Sequence, residues 1–400
     1  MTRTTETHPF AALDDAVGAV AELSAGRDED PSLLPELVGI LRRARFGALR
    51  VPTEHGGFGV SVAELISRVV EIAEHHANLA HVFRTHFAFV ESRIRSTRQD
   101  ERERWLGAAG SGTLFANLAS EQGPRREPPL PPFRTRLHPV DGGLALTGEK
   151  FYSTGSPYVD ELSVLTWSEP DEAVVNVVVP RRDDRVEVVG DWDGFGQRLT
   201  GSGTTRFHAV PVTDDRILRI DGQSGDGYQY FALGHIYNLA IQVGILRATL
   251  RDAVGLLRSR VRTFRNSATS SPLTDPQLLS ALGGIVGAVR AGERTLSAAA
   301  AVMDEAMVRL LSGSPDRDLE LEFSIRIAQA KLLIDDIGPR AASEIFELGG
   351  ASATRSALNL DRHWRNSRTI STHNPAAAKA LAIGRHRIDP VEPYPDIWGF

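Results

Sequence analysis

The chain has no cysteine among its 400 residues. This excludes disulfides, thiolate nucleophiles, zinc–thiolate sites and iron–sulfur clusters in one step, and it fits a reducing, cytoplasmic setting. Long apolar runs are also missing. No stretch of about 18 uninterrupted apolar residues occurs, so no membrane-spanning helix is expected. The first residues are polar and carry acids early, without the apolar centre of a signal peptide. Charge of one sign is lacking as well: 45 Lys and Arg stand against 51 Asp and Glu, a net charge of −6. Nothing in that balance draws the chain to nucleic acid or to an anionic membrane. Neither a G-x-G-x-x-G following a strand nor a Walker motif is present, so Rossmann and P-loop nucleotide sites are unsupported.

The composition is that of a soluble globular enzyme, with 42% hydrophobic and 24% charged residues, and the length allows a large core with two or three sub-domains. The first quarter reads as helical. Val62, Leu65, Ile66, Val69, Val70 and Ala73 recur at helical spacing, and Ser61 with Glu64 forms a capping box at the start. From Gly112 to about Val212 the pattern changes to short β-branched or aromatic runs: TLFANLAS, LALTGEKFYSTG, LSVLTW and AVVNVVVP. Turn clusters such as Asp141-Gly142-Gly143 divide them, and the proline-rich run Glu127 to Pro132 is expected as a loop. Helices return from about Tyr228 to Arg260. A second begins at Asp275-Pro276 with Asp as N-cap. A third runs from Leu319 to Leu348, with a kink expected at Pro339 and Gly349-Gly350 as its end. These Ala-, Gly- and Leu-rich helices suggest a bundle, one that a partner chain can share.

Three segments, spanning Phe46 to Pro375 in order, resemble the acyl-CoA dehydrogenase superfamily. They are FGALRVPTEHGGFGVSVAELISRVVEIA, DWDGFGQRLTGSGTTRFHAVPVTDDRIL and EIFELGGASATRSALNLDRHWRNSRTISTHNP. The resemblance implies a mainly α protein with a central β-domain: an N-terminal helical domain (1–111), a β-barrel-like middle domain (112–222), a C-terminal four-helix bundle (223–385) and a tail (386–400). A dehydrogenase of the commonest arrangement carries an acidic base about two helical turns after its C-terminal Arg-Asp stretch. Here that place reads Ile370 to Pro375, ISTHNP, without an acid. The run DRHWRNSRTISTHNP, with FANLASEQG and GEKFYSTGS, is instead similar to the oxygenase branch, the dibenzothiophene and alkylsulfone monooxygenases.

That likeness implies a two-component flavin-dependent monooxygenase. Reduced FMN or FADH2 from a separate NAD(P)H:flavin reductase would react with O2 to give a C4a-peroxide that oxygenates sulfur, nitrogen or aromatic carbon in a small organic substrate held between the β-domain and the helices. By resemblance His373 is the central catalytic residue, since a near-neutral imidazole donates, accepts and holds a proton. Asn117 and Ser153 are assigned to hydrogen-bond the flavin edge or its adduct, and His86 to the pocket. Thr154, Trp192, Phe264 and Asn374 join the cofactor-binding set, and Phe195 joins Trp192 as a wall. Arg262 and Arg355 are assigned to the flavin phosphate, with Gly349 and Gly350 allowing close backbone approach. In this fold the two sets come from different subunits, so a homotetramer, or at least a dimer, is implied.

A metal centre is not expected. Among His75, His76, His81 and His86, no histidine follows a Glu by three positions, and Glu71–His75 is a single i, i+4 pair. Two rival readings remain: an acyl-CoA dehydrogenase or oxidase with its base elsewhere, and a flavin N-hydroxylase. A DNA-binding member of the fold would need a concentrated basic face that the dispersed charges do not provide.

Overall fold

The computed structural model describes residues 10–124, 126–128, 130–219, 229–263 and 265–389. Phe264 and most of the tail lie outside these residues. Five helices come first: α1 (Ala11–Ser24), α2 (Leu34–Arg43), α3 (Val62–His75), α4 (Ala77–Ile94) and α5 (Gln99–Gly110). Eight strands follow: β1 (Phe115–Leu118), β2 (Arg136–Val140), β3 (Gly143–Lys150), β4 (Glu161–Ser168), β5 (Ala173–Pro180), β6 (Val186–Val188), β7 (Thr205–Val212) and β8 (Ile217–Arg219). The chain then returns to helix in α6 (Gln229–Ser259), α7 (Pro276–Leu311), α8 (Arg317–Gly349), α9 (Arg362–Ser371) and α10 (Ala376–Ile388). Helix, strand and helix thus succeed one another as the sequence implies. No helix among the described residues is long and apolar enough to cross a membrane.

Packing divides the chain into two units. The first takes in residues 1–60, 81–193 and 198–225, and the second 61–80, 194–197 and 226–400. In the first, the strands form one mixed sheet in the order β6-β7-β3-β2-β4-β5-β8, with β1 pairing parallel to β4. Strands β4 and β5 pair along their full lengths and are buried over most of their residues, which accounts for their near-continuous apolar sequences. Beside the sheet, Phe89 stacks on Phe115 at 4.2 Å, in a core shared with Val51, Trp105 and Val178. This contact anchors the start of β1.

In the second unit α3, α7 and α8 each begin on a side-chain cap. Ser61 accepts a bond from the Glu64 amide at 3.1 Å, and Asp304 of α7 accepts from the Val62 and Ala63 amides at the same helix start. Asp275 caps α7 and Asp316 caps α8; a carboxylate there satisfies free N–H groups and complements the helix dipole. Helix α3 packs on α6, where a Cβ on Gly244 would lie 2.4 Å from that of Ala73, so only glycine permits the approach.

Some boundaries differ from the sequence reading. The strand expected through FYSTG ends at Lys150, because Ser153 and Gly155 leave the ladder to bond the carbonyls of Gly203 and Thr200. Helix α8 runs unbroken through Pro339. The tail was expected from residue 386, but α10 continues to Ile388. Strands β2, β6, β7 and β8 carry no strong apolar run. Pro139 fits β2 because it lies beyond that strand's two residues of pairing with β4.

Candidate functional site

The expected site residues fall into two sets, one in each unit. In the first unit, β1 (FANL) buries Phe115, Ala116 and Leu118 and leaves Asn117 the most accessible of the four. Asn117 is half-buried, and its Oδ1 is shielded from solvent with no hydrogen-bond partner. A buried acceptor left open costs about 1–3 kcal/mol, so this atom marks a place for a donor from a ligand. The end of β1 is tied to the FYST turn. Lys150, fully buried, donates to the Ala119 carbonyl at 3.2 Å and to Glu121 at 2.9 Å, and the Phe151 amide donates to the Ser120 carbonyl. Burial lowers the Lys150 pKa to about 8, against the pull of Glu121.

The turn then places Tyr152 at φ 58°, with its ring exposed and set edge-on to Trp192 at 6.0 Å. Ser153 is buried, and its hydroxyl makes only a long 3.4 Å contact to the Lys150 carbonyl. Thr154 is bonded to Ser202 through its hydroxyl at 2.8 Å, and its carbonyl accepts from Thr85 at 3.1 Å. Asn117, Ser153, Thr154 and Trp192 therefore share one neighbourhood within this unit.

His86 is buried. Its Nε2 is 2.8 Å from the Gly47 carbonyl, and its Nδ1 accepts from the Phe115 amide at 3.2 Å. Both ring nitrogens are occupied by backbone. The resemblance assigned this histidine to the pocket; the geometry gives it the part of holding β1, two residues before Asn117.

In the second unit, α9 carries the motif residues. Its start is fixed by Asp252, which accepts from Arg362 and from His363 at 2.9 Å. Burial alone would raise the Asp252 pKa, but the His363 bond and the charges of His363 and Arg362 hold it far below the usual carboxylate range. Segment 194–197 lies on the same helix. Phe195 stacks on Trp364 at 5.7 Å, and Asn366 accepts from the Gln197 amide at 2.7 Å. Gly196 is required there, because a Cβ would come within 2.1 Å of the Arg365 carbonyl.

The helix ends in an acid-free turn, Ser371 to Pro375, in which His373 is exposed and its amide bonds the Ile370 carbonyl at 3.0 Å. Asn374 lies 3.1 Å from His235 Nε2.

Arg262 and Arg355 are both exposed, and their guanidinium groups have no partner among the described residues. The segment of Arg262 is held near the end of α8 by Arg260, which bonds the Arg262 and Leu348 carbonyls. Gly350 adopts φ 58° as the helix cap, and a Cβ on Gly349 would meet Ala353 at 2.5 Å, so both glycines have packing reasons of their own. His76 and His81 are buried in the helix packing and His75 is half-buried. Among the described residues no cluster of His, Asp and Glu could hold a metal.

Sequence reasoning missed Arg260, Asp252, His235 and a buried network of Lys331, Asp335, Gln242 and Ser367. The only signal for the last was the i, i+4 spacing of Lys331 and Asp335, which on a helix usually means a surface pair.

Residues 237–377 match the family described as acyl-CoA dehydrogenase, C-terminal domain. Dibenzothiophene monooxygenase of Rhodococcus erythropolis is 26% identical over 368 residues, covering 89% of this chain and 87% of that protein. A probable FMNH2-dependent monooxygenase, SfnC of Pseudomonas putida, is 25% identical and covers 97% of each chain. The FMN-bound crystal structure of TdsC from Paenibacillus sp. A11-2 superposes with a TM-score of 0.86 at 24% identity, covering 97% of this chain and 100% of the other.

Proposed function

We propose that this chain, which carries the acyl-CoA dehydrogenase fold along its length, is the oxygenase of a two-component flavin monooxygenase. Reduced FMN, delivered by a separate NAD(P)H:flavin reductase, supplies when bound the two electrons with which one atom of O2 enters a small organic substrate and the other leaves as water. The observation that carries this reading is the turn after α9. It presents His373 and, from Ser371 to Pro375, no carboxylate. An imidazole gives and takes protons near neutral pH but is poorly suited to replace a carboxylate in stripping an α-proton from an acyl thioester.

The chain's residues divide the work. His373 donates a hydrogen bond and a proton at the reacting oxygen. Asn117 offers its open Oδ1 to a flavin N–H, and Ser153 supplies a hydroxyl without a competing charge. Thr154, Trp192 and Asn374 complete the contacts to the ring system. Arg262 and Arg355, with their open guanidiniums, bind the FMN phosphate, and backbone approaches it at Gly349 and Gly350. His86 acts through β1. A homotetramer fits the exposed apolar side chains Leu279, Val286, Val308 and Leu333 on α7 and α8, and a cytoplasmic location fits the absence of cysteine. The relatives named for dibenzothiophene point to an organosulfur substrate.

The test is turnover with a flavin reductase, NADH, FMN, O2 and a panel of sulfides, sulfoxides and sulfones, with product and H2O2 both measured. Wild type should form oxygenated product, and His373→Ala should divert the same electrons to H2O2. Unchanged product yield in His373→Ala, or flavin reduction by acyl-CoA, refutes the assignment.

A further inference from the structure

We propose that Lys331 and His235 are positioning residues for His373, reaching from two helices to fix both ends of the turn that carries it. The inference rests on the role given to His373 above and concerns this chain's own groups. Lys331 projects from α8 and is 5% exposed. Its ammonium donates to the Ser371 carbonyl at 3.2 Å and pairs with Asp335 one turn along the same helix. The Ser371 carbonyl is one of the last of α9, where the helix dipole is negative and no backbone donor remains, so a buried ammonium is the complementary group.

Asp335 is held in turn by Gln242 at 2.7 Å, and Gln242 accepts from Ser367 at 3.2 Å. Ser367 and Ser371 are one helical turn apart, so the network grips the last turn of α9 at two points. The helices are close enough for this because residue 338 is glycine: a Cβ there would lie 2.6 Å from the Ser367 hydroxyl. At the far end of the turn, Asn374 is held by His235 of α6. The residues on either side of His373 in the turn are thus tied to different helices.

A cavity of about 10 Å³ is bordered by His235, Asn238, Gln242, Lys331 and Asn374, room for one water. Asn238 Oδ1 is buried there without a protein partner, and Lys331 has a third N–H to offer, so a shared water would join the two clamps. The titratable and charged groups around the turn are His235 on α6, Lys331 and Asp335 on α8, Arg368 on α9 and Lys379 on α10.

The arrangement is more than a generic core ion pair. A pair retained only for stability can be exchanged for apolar groups of similar volume at little cost. A pair that also holds a catalytic turn cannot be exchanged without loosening that turn.

The test uses the full chain as Lys331→Met, Lys331→Arg, His235→Leu and the charge-neutral double Lys331→Met/Asp335→Asn, which avoids a lone buried carboxylate. Hydrogen exchange of the flavin-free protein, followed over residues 365–380, should accelerate roughly tenfold or more in Lys331→Met and in the double, the scale of one lost charged hydrogen bond. Exchange in the other helices should be unchanged, and Lys331→Arg should recover most of the protection. Under turnover Lys331→Met and the double should lose product yield to H2O2 with FMN affinity preserved, and His235→Leu, which frees Asn374, should lose product yield as well.

Unchanged exchange in this segment, or accelerated exchange with undiminished product yield, overturns the proposal. If His373→Ala is itself without effect, the functional reading fails, while the exchange data still decide whether the clamp exists.

Discussion

Acidification destabilises the first unit through His86, and the size of the effect follows from the ring's surroundings. His86 is 1% exposed. Its Nε2–H donates to Gly47 and its Nδ1 accepts from the Phe115 amide. Burial pushes its pKa down from 6.5 to about 4, although the Gly47 carbonyl pulls the other way. A second ring proton would also be set against the Phe115 N–H. As the folded pKa lies below the unfolded one, the unfolded chain takes up the proton first when pH falls. The stabilising contribution is complete above about 6.5 and is lost as pH falls towards 4. At about 1.4 kcal/mol per pH unit the full loss is about 3 kcal/mol, over half of it gone by roughly pH 5. The comparison is urea unfolding followed by tryptophan fluorescence at about pH 7.5 and 5, for wild type and His86→Gln. Gln can still reach the Gly47 carbonyl but does not titrate, so the variant should lack this increment. Parallel losses in the two proteins, or an NMR titration placing the folded His86 near 6.5, would refute the reasoning. Because the same bond holds β1, any effect of this ring on flavin affinity in the wild type should appear only as pH approaches 4, where the folded His86 itself takes up a proton.

Removing Lys150 strands Glu121 in a buried site, so Lys150→Met should cost about 3–5 kcal/mol by urea unfolding, and Lys150→Met/Glu121→Gln should recover most of that. Asn117→Leu removes an unsatisfied acceptor, so the flavin-free protein should keep or gain stability while FMN binding, measured by fluorescence quenching, weakens at least roughly tenfold. Arg262→Ala and Arg355→Ala should each weaken FMN binding roughly tenfold or more and flatten its salt dependence, without moving the melting temperature beyond what surface changes produce.

The elements legible in the sequence are those whose signals are local. Helix α3 declares itself by Ser61 and Glu64, and α7 by Asp275-Pro276, because a cap and an apolar period lie within a few residues of each other. Strand β1 is legible as a strand, but its parallel register, Phe115 opposite Glu161, depends on a partner far along the chain. His86 was assigned to the pocket by resemblance. The backbone groups its ring bonds are 39 and 29 residues away, and no spacing rule reaches them. The pair Lys331 and Asp335 has the spacing of an exposed ion pair. Only the packing of α8 against α9 at Gly338 turns it into a buried one.

Among the buried polar atoms left open in the described residues, two lie where the chemistry is proposed. Asn117 keeps a buried acceptor open, Asn238 keeps another beside the His373 turn, and the exposed Arg262 and Arg355 have no partner among the described residues. Each open buried acceptor costs the flavin-free fold about 1–3 kcal/mol, whereas the exposed arginines are solvated and cost it little. Stability alone would favour Leu at position 117, so the residue there is better explained by a ligand that completes its hydrogen bonding. Lys331 follows the opposite rule. Its hydrogen bonds are already made inside the protein, and the chain uses a buried charge to hold a turn still. Substituting the open groups should therefore change cofactor affinity and leave stability intact. Substituting Lys331 should instead leave affinity intact and change how many electrons end in product.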